Sequence, residues 1–191
     1  MPSARTNPIA ASPRCPRWAL CAALVCVLCG TGAAQTSREY DVKAVFLYNF
    51  AMFVEWPKAA RPPPGKPIII GILGHDPFGR VLDEVVADEV LKGNPLEVRR
   101  YRSAEEAAGC HILFISSSET KNLPQILETL RGKPVLTVAD MARYTASDAI
   151  ITFTTDTRVQ LHINPAAAQR AGLAISSKLL RVASIVEAHG P

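Results

Sequence analysis

Hydrophobic and polar positions along this chain follow two periods, and the change from one to the other marks its elements. Over Tyr40–Pro57, at about 100° per residue, Val42, Val45, Phe46, Asn49, Phe50 and Phe53 fall on one face of a helix, and Leu47 and Val54 widen it. Asp41, Ala44, Tyr48, Ala51 and Glu55 are left as a narrow solvent edge. A helix so broadly apolar needs partners on two sides, so it is expected between a sheet and a second helix, or at an interface. Asn49 falls inside the apolar arc. A buried amide without a partner costs about 1–3 kcal/mol, so Asn49 either ties the helix to neighbouring backbone or touches a ligand. Thr36-x-x-Glu39 offers a capping box ahead of the helix, and Trp56-Pro57 stops it, because the residue before proline is steered out of the α region.

After a proline-rich connector, Lys58–Pro67, the pattern shifts to short uninterrupted apolar runs. Ile68–Leu73 reads as a strand buried on both faces, Leu96–Tyr101 as a strand, and His111–Ser116 and Pro134–Ala139 as further buried strands. Between them, Phe78, Val81, Leu82, Val85 and Val86 recur at helical spacing, Ser103–Ala108 suits a short helix, and Glu119–Arg131 suits a helix interrupted near Pro124. Such alternation predicts an α/β fold, a mostly parallel sheet flanked by helices. Ala149–Thr154 and Arg158–Ile163 are joined by only Thr155-Asp156-Thr157, too short for a crossover, and so predict a C-terminal antiparallel hairpin. In its second strand Val159, Leu161 and Ile163 point one way and Arg158, Gln160 and His162 the other. Asn164-Pro165 starts a helix and Gly172 ends it. Ser176 or Ser177 caps a terminal helix whose Leu179, Leu180, Val182, Ala183 and Val186 are expected to pack on the first helix through Phe46 and Phe50.

Composition matters only once the N-terminus is set apart. Arg5, Arg14 and Arg17 precede an apolar run, Trp18–Cys29, and small residues at Thr31–Ala34. The run is shorter than the roughly 20 residues that cross a bilayer, so residues 1–34 read as a cleavable secretory signal peptide and 35–191 as one exported domain. Neither Cys26 nor Cys29 follows the pattern of a lipobox. Three of the 21 basic residues lie in this segment, leaving 18 against 17 acidic ones, a net charge of +1. A nucleic-acid footprint is absent. Four of the five cysteines lie there too, so Cys110 stands alone in an oxidising compartment and no intrachain disulfide can form.

Candidate chemistry is sparse. Gly74-His75-Asp76 follows a buried strand, where open α/β sheets place ligands, so His75 and Asp76 are ligand-binding candidates beside Asn49; equally, Asp76-Pro77 suits a helix cap and His75 a loop. Gly71-Ile72-Leu73-Gly74 lacks dinucleotide spacing, and no cofactor is expected. The histidines His75, His111, His162 and His189 have no metal-ligand spacing, and Cys110-His111, adjacent on a strand, point to opposite faces. No metal site is expected. Cys110 reads as a buried small hydrophobe, and Ser116-Ser117-Ser118, without the glycines of a nucleophile elbow, as a helix cap. No catalytic residue is assigned and the chain is not read as an enzyme. Contact groups for a partner are Arg158, Gln160 and His162 on the hairpin, Trp56 beside the proline connector, and Lys178 at the start of the last helix.

KAVFLYNFAMFVEWP resembles the opening signature of the YfiR-like family, and the likeness continues in order through ILGHDPFG (72–79), CHILFIS (110–116), GKPVLTVAD (132–140) and VQLHINPAAAQRAGLAISSKLL (159–180). The resemblance implies a periplasmic regulator that restrains an inner-membrane receptor or diguanylate cyclase through its periplasmic domain and so lowers cyclic di-GMP. An outer-membrane-associated protein and a second copy of the chain (a homodimer) are further candidate partners. The chain departs from the family pattern at His162, where an acidic residue is usual, at Ser147-Asp148, where glycines are, and in having no cysteine pair for redox control. Besides this regulator, a small-molecule binding or sensing module remains a second reading, carried by the expected cleft at the strand ends. The two are compatible, since a ligand can set affinity for a partner.

Overall fold

The computed structural model describes residues 31–143, 148–181 and 183–185, with side chains from Arg38 onward. Residues 1–30 of the expected signal peptide, Ser147, Val182, Val186 and His189 lie outside the described residues. The chain divides into two units, Met1–Thr36 and Ser37–Pro191, and the second carries the sheet.

Helix α1 (Thr31–Phe53) is the longest element among the described residues. It begins ahead of Thr36, so no capping box forms there, and it ends before Trp56-Pro57 because β1 (Val54–Glu55) turns away to pair antiparallel with β9 (Ala174–Ile175). The buried face of α1 is also rotated from the expected one. Lys43, Ala44, Leu47, Phe50, Ala51 and Val54 are buried, whereas Val42, Val45 and Met52 are exposed. Ala44 and Ala51 belong to the core that the helix shares with the sheet. The predicted solvent edge is therefore wrong at Ala44 and Ala51.

The sheet is mostly parallel with an antiparallel pair at its C-terminal end, as expected. Strands β2 (Ile68–Leu73), β4 (Asn94–Tyr101), β5 (Ile112–Ile115), β6 (Leu136–Met141) and β7 (Ile151–Thr155) run parallel, and β8 (Val159–Ile163) returns antiparallel to β7. The two-residue strands β3 (Val90–Leu91) and β10 (Ser184–Ile185) complete the order β10-β8-β7-β6-β5-β2-β4-β3. Alternation divides each central strand between two cores. Ile70, Ile72, Ile112, Phe114, Leu136, Val138, Ile151, Phe153, Leu161 and Ile163 meet α1, α2 (Val81–Val86) and α4 (Pro165–Arg170). On the other face Leu73, Leu113, Ile115, Ala139 and Met141 meet α3 (Leu123–Thr129) and the 3-10 turn Glu106–Gly109. Gly71 belongs to this second face, where a Cβ would come 2.8 Å from Cε2 of Tyr101; glycine lets that ring lie flat on the sheet.

Three local expectations change. Pro124 opens α3 in its first turn instead of interrupting a longer helix. Asp76 caps a turn, accepting from the Phe78 and Gly79 amides at 2.8 and 3.3 Å, but α2 starts later, after Arg80. The terminal helix is one turn, α5 (Ser177–Leu180), after which the chain becomes strand β10 parallel to β8. Leu179 does share a core with Phe46 and Phe50, and Ser176 caps α5 as expected. Asn164 likewise caps α4, its Oδ1 accepting from the Ala167 amide at 2.9 Å, and Gly172 follows it at φ 71°.

Candidate functional site

The hairpin β7–β8 brings together three of the five residues expected to contact a partner. Its register pairs Thr154 with Gln160 and Thr152 with His162, so these four share the face turned from Phe153 and Leu161. Arg158, in the turn, and Gln160 are exposed, and His162 is half-buried, its Nε2 3.0 Å from Thr154 Oγ1. Burial holds the His162 imidazole below its ordinary pKa, so it is neutral near pH 7. Beyond β8, among the described residues, lies the short edge strand β10, with Ser184 opposite His162. Lys178 is exposed on α5, the turn that leads into β10.

Trp56 is a correction. It is 7% exposed and sits in the core, edge-on to His111 with ring centroids 6.0 Å apart, while its carbonyl accepts from Arg61 Nε at 2.8 Å. An indole at the end of a strand that folds back over the sheet removes more apolar surface than the connector could leave exposed. It offers no outer contact.

The ligand candidates are not brought together. His75 is exposed, its amide donating to Ser118 Oγ at 3.0 Å. Asp76 is engaged structurally: Arg100 Nε donates to its Oδ2 at 3.0 Å, and the same guanidinium reaches Asp83 at 2.8 and 2.5 Å. Hydrogen bonding from Arg100 in turn holds the Asp83 carboxyl below its usual range. Asn49 lies apart from both, half-buried on the outward side of α1. Cys110 is buried as expected, and that burial pushes its thiol up to about 12.

A polar cluster that sequence reasoning missed lies where α1 crosses the end of β6. Lys43, 1% exposed, places Nζ 2.7 Å from Asp140 Oδ1 and also bonds Glu39. Tyr40 donates to Asp140 Oδ2 at 2.9 Å, and Thr155 donates to Glu39 at 2.8 Å. The ammonium also stands 4.6 Å from the Tyr40 ring centroid and 5.8 Å from that of Phe153. Burial, then the Asp140 charge, raises the Tyr40 phenol well above its ordinary pKa. Together these side chains join α1 to β6 and to the hairpin. The available signal was weak: a lone lysine within an apolar helix and an aspartate ending an apolar strand.

The described residues hold no group of three or more histidine, cysteine, aspartate or glutamate side chains that could bind a metal ion. No helix among them is long and apolar enough to cross a membrane. What the fold and the hairpin define is a two-faced α/β domain whose mostly parallel sheet ends in an antiparallel pair. The chain belongs to the YfiR/HmsC-like family, whose sequence profile matches residues 40–184. That family is periplasmic, regulatory and non-catalytic, and its members act in diguanylate cyclase signalling. No curated protein sequence matches the chain. Among solved structures, the ABC domain in complex with L-Trp from Streptococcus pneumonia is similar at 12% identity and a TM-score of 0.45. That likeness covers 62% of this chain and 55% of that one, and is too distant to bear on function.

Proposed function

We propose that this protein is an exported, non-enzymatic regulator that binds the periplasmic domain of an inner-membrane signalling protein, a diguanylate cyclase, and represses it. The observation that carries the reading, beside family membership, is the hairpin: Arg158 in its turn and Gln160 on β8 are exposed and His162 is half-buried, while the opposite side of β8, Leu161 and Ile163, serves the core. Arg158 and Gln160, exposed to solvent, are available to meet a partner. A non-catalytic partner acts across a membrane by binding one receptor state better than another, and a tenfold shift needs about 1.4 kcal/mol of differential affinity.

The sensor reading has less support. Its cleft was expected at the carboxyl ends of the strands, and at β6 that position is filled by the chain's own Lys43 and Tyr40 on Asp140. Deleting the protein should raise cyclic di-GMP, and the rise should vanish when the cyclase is deleted too. Arg158→Glu should abolish repression with the melting temperature nearly unchanged. Repression retained by a folded Arg158→Glu protein removes the hairpin from the interface; cyclic di-GMP unaltered by the deletion removes the cyclase as target.

A further inference from the structure

The loops that enter the amino ends of β2 and β4 carry a local excess of positive charge. No acidic residue stands between Glu55 and Asp76, a stretch that holds Lys58, Arg61 and Lys66, nor between Glu89 and Glu97, where Lys92 lies in the β3–β4 turn. The structure brings these two segments to one rim. The Gly65 amide donates to the Gly93 carbonyl at 3.1 Å, and Asn94, which opens β4, donates through Nδ2 to the Pro63 and Lys66 carbonyls at 2.6 and 2.7 Å. Arg61 is held by its Nε on the Trp56 carbonyl. Lys92 keeps a left-handed backbone at φ 53°, followed by Gly93 at φ 83°, and so stands at the tip of a tight turn. All four cations are exposed, and Lys58, Lys66 and Lys92 form no ion pair among the described residues. Of the flanking carboxylates, Glu55 borders the rim on β1, while Asp88 and Glu89 lie before β3, away from the Lys92 tip; Glu89 sits level with Leu96 and accepts from the Tyr48 hydroxyl.

We infer that this rim docks on a bilayer surface bearing anionic phospholipid, its four cations meeting the headgroup phosphates. The choice of occupant rests on charge and on what lies between the charges. An anionic leaflet attracts every exposed Lys or Arg that comes within a Debye length, and unpaired side chains on a loop and a turn tip give that attraction in full. Between them the loop exposes Ala59, Pro63 and Pro64, small apolar groups, and the prolines bring no amide hydrogen that must be desolvated at the headgroup boundary. The rim has no exposed aromatic anchor of the kind that centres a protein interface, since Trp56 is buried in the core. The prolines and the Asn94 bonds hold the loop in one shape, so contact orders little that was free. Position in the fold agrees. The rim lies at the amino ends of the parallel strands, whereas the β7–β8 turn with Arg158 follows the carboxyl end of β7. Lipid contact and the proposed receptor contact therefore use opposite ends of the sheet and can be tested apart.

The test pellets the mature chain, residues 35–191, with vesicles of phosphatidylcholine alone and with vesicles of equal parts phosphatidylcholine and phosphatidylglycerol. Wild type should bind the second and not the first, and the binding should fade as salt shortens the Debye length toward about 3 Å near 1 M. Lys58→Glu, Lys66→Glu and Lys92→Glu together should weaken it by more than about tenfold while the melting temperature stays near that of wild type. A control with the same change in net charge reverses Arg102, Lys121 and Arg143 to Glu; these are exposed and follow the carboxyl ends of β4, β5 and β6, and binding should survive. No pelleting with the phosphatidylglycerol vesicles overturns the inference, and so does equal pelleting with both kinds. Binding kept by the folded rim variant, or lost equally in the control, shows that another surface or net charge is responsible and overturns it too. Competition by soluble glycerol phosphate at matched ionic strength would make the rim a discrete anion site, and binding to polyglutamate but to no vesicle would assign it to an acidic protein; either result removes the bilayer as its partner.

Discussion

At the scale of single residues the most consequential contact is the buried ion pair between Lys43 and Asp140. Desolvating two charges offsets most of their attraction, so the pair contributes little net stability, yet removing one partner strands the other. Lys43→Met alone should therefore cost about 3–5 kcal/mol in urea unfolding. Lys43→Met with Asp140→Asn, which keeps an acceptor for the Tyr40 hydroxyl, should recover most of that loss. Equal losses in the single and double variants would mean that the lysine acts through packing, not charge. Glu39 holds the same ammonium and also accepts from Thr155, so the double variant leaves its tie to the hairpin in place. The Lys43–Asp140 pairing could not be read from sequence, because the two are 97 residues apart and each alone looks like a solvated charge.

At the scale of elements, α1 shows where periodicity is informative and where it fails. A 3.6-residue pattern locates a helix, but α1 is apolar nearly all round, and its moment cannot then say which side faces the sheet. Ala44 and Ala51, both buried, mark the side that does. Replacing Phe50, fully buried, by alanine should cost about 3–5 kcal/mol, whereas Val45→Ala, on the outward side, should change monomer stability by less than about 0.5 kcal/mol. Equilibrium denaturation in dilute solution checks both; comparable losses at the two positions would restore the orientation read from sequence. The last helix failed for a different reason. Leu179, Val182, Ala183 and Val186 suit a helix, yet an open edge at β8 offers backbone hydrogen bonds that Ser184 and Ile185 take up as β10.

For the whole molecule, two half-buried histidines tie stability to pH. His111 sits at the head of β5, accepting from the Ile69 amide at 3.0 Å through Nδ1, and burial depresses its pKa as it does that of His162. Both therefore take up a proton more readily unfolded than folded. Their contribution is fully present above the unfolded value of about 6.5 and is lost as pH falls from there toward the depressed folded values. Unfolding free energy should drop on acidification across that window. His111→Asn, whose Oδ1 can accept the same amide, should flatten the slope without removing it, since His162 remains. A profile flat from pH 7.5 to 5 would show that neither ring is desolvated enough to matter.

The sequence by itself determined a mostly parallel sheet, the hairpin, the caps at Asn164 and at Ser176 or Ser177, and the buried state of Cys110, because these follow from local period, turn length and residue type. Only the tertiary structure decided the rotation of α1, the burial of Trp56, the Lys43–Asp140 junction and the edge strand β10. Each depends on a contact between residues distant in the chain, where packing distance and desolvation, not local propensity, set the outcome.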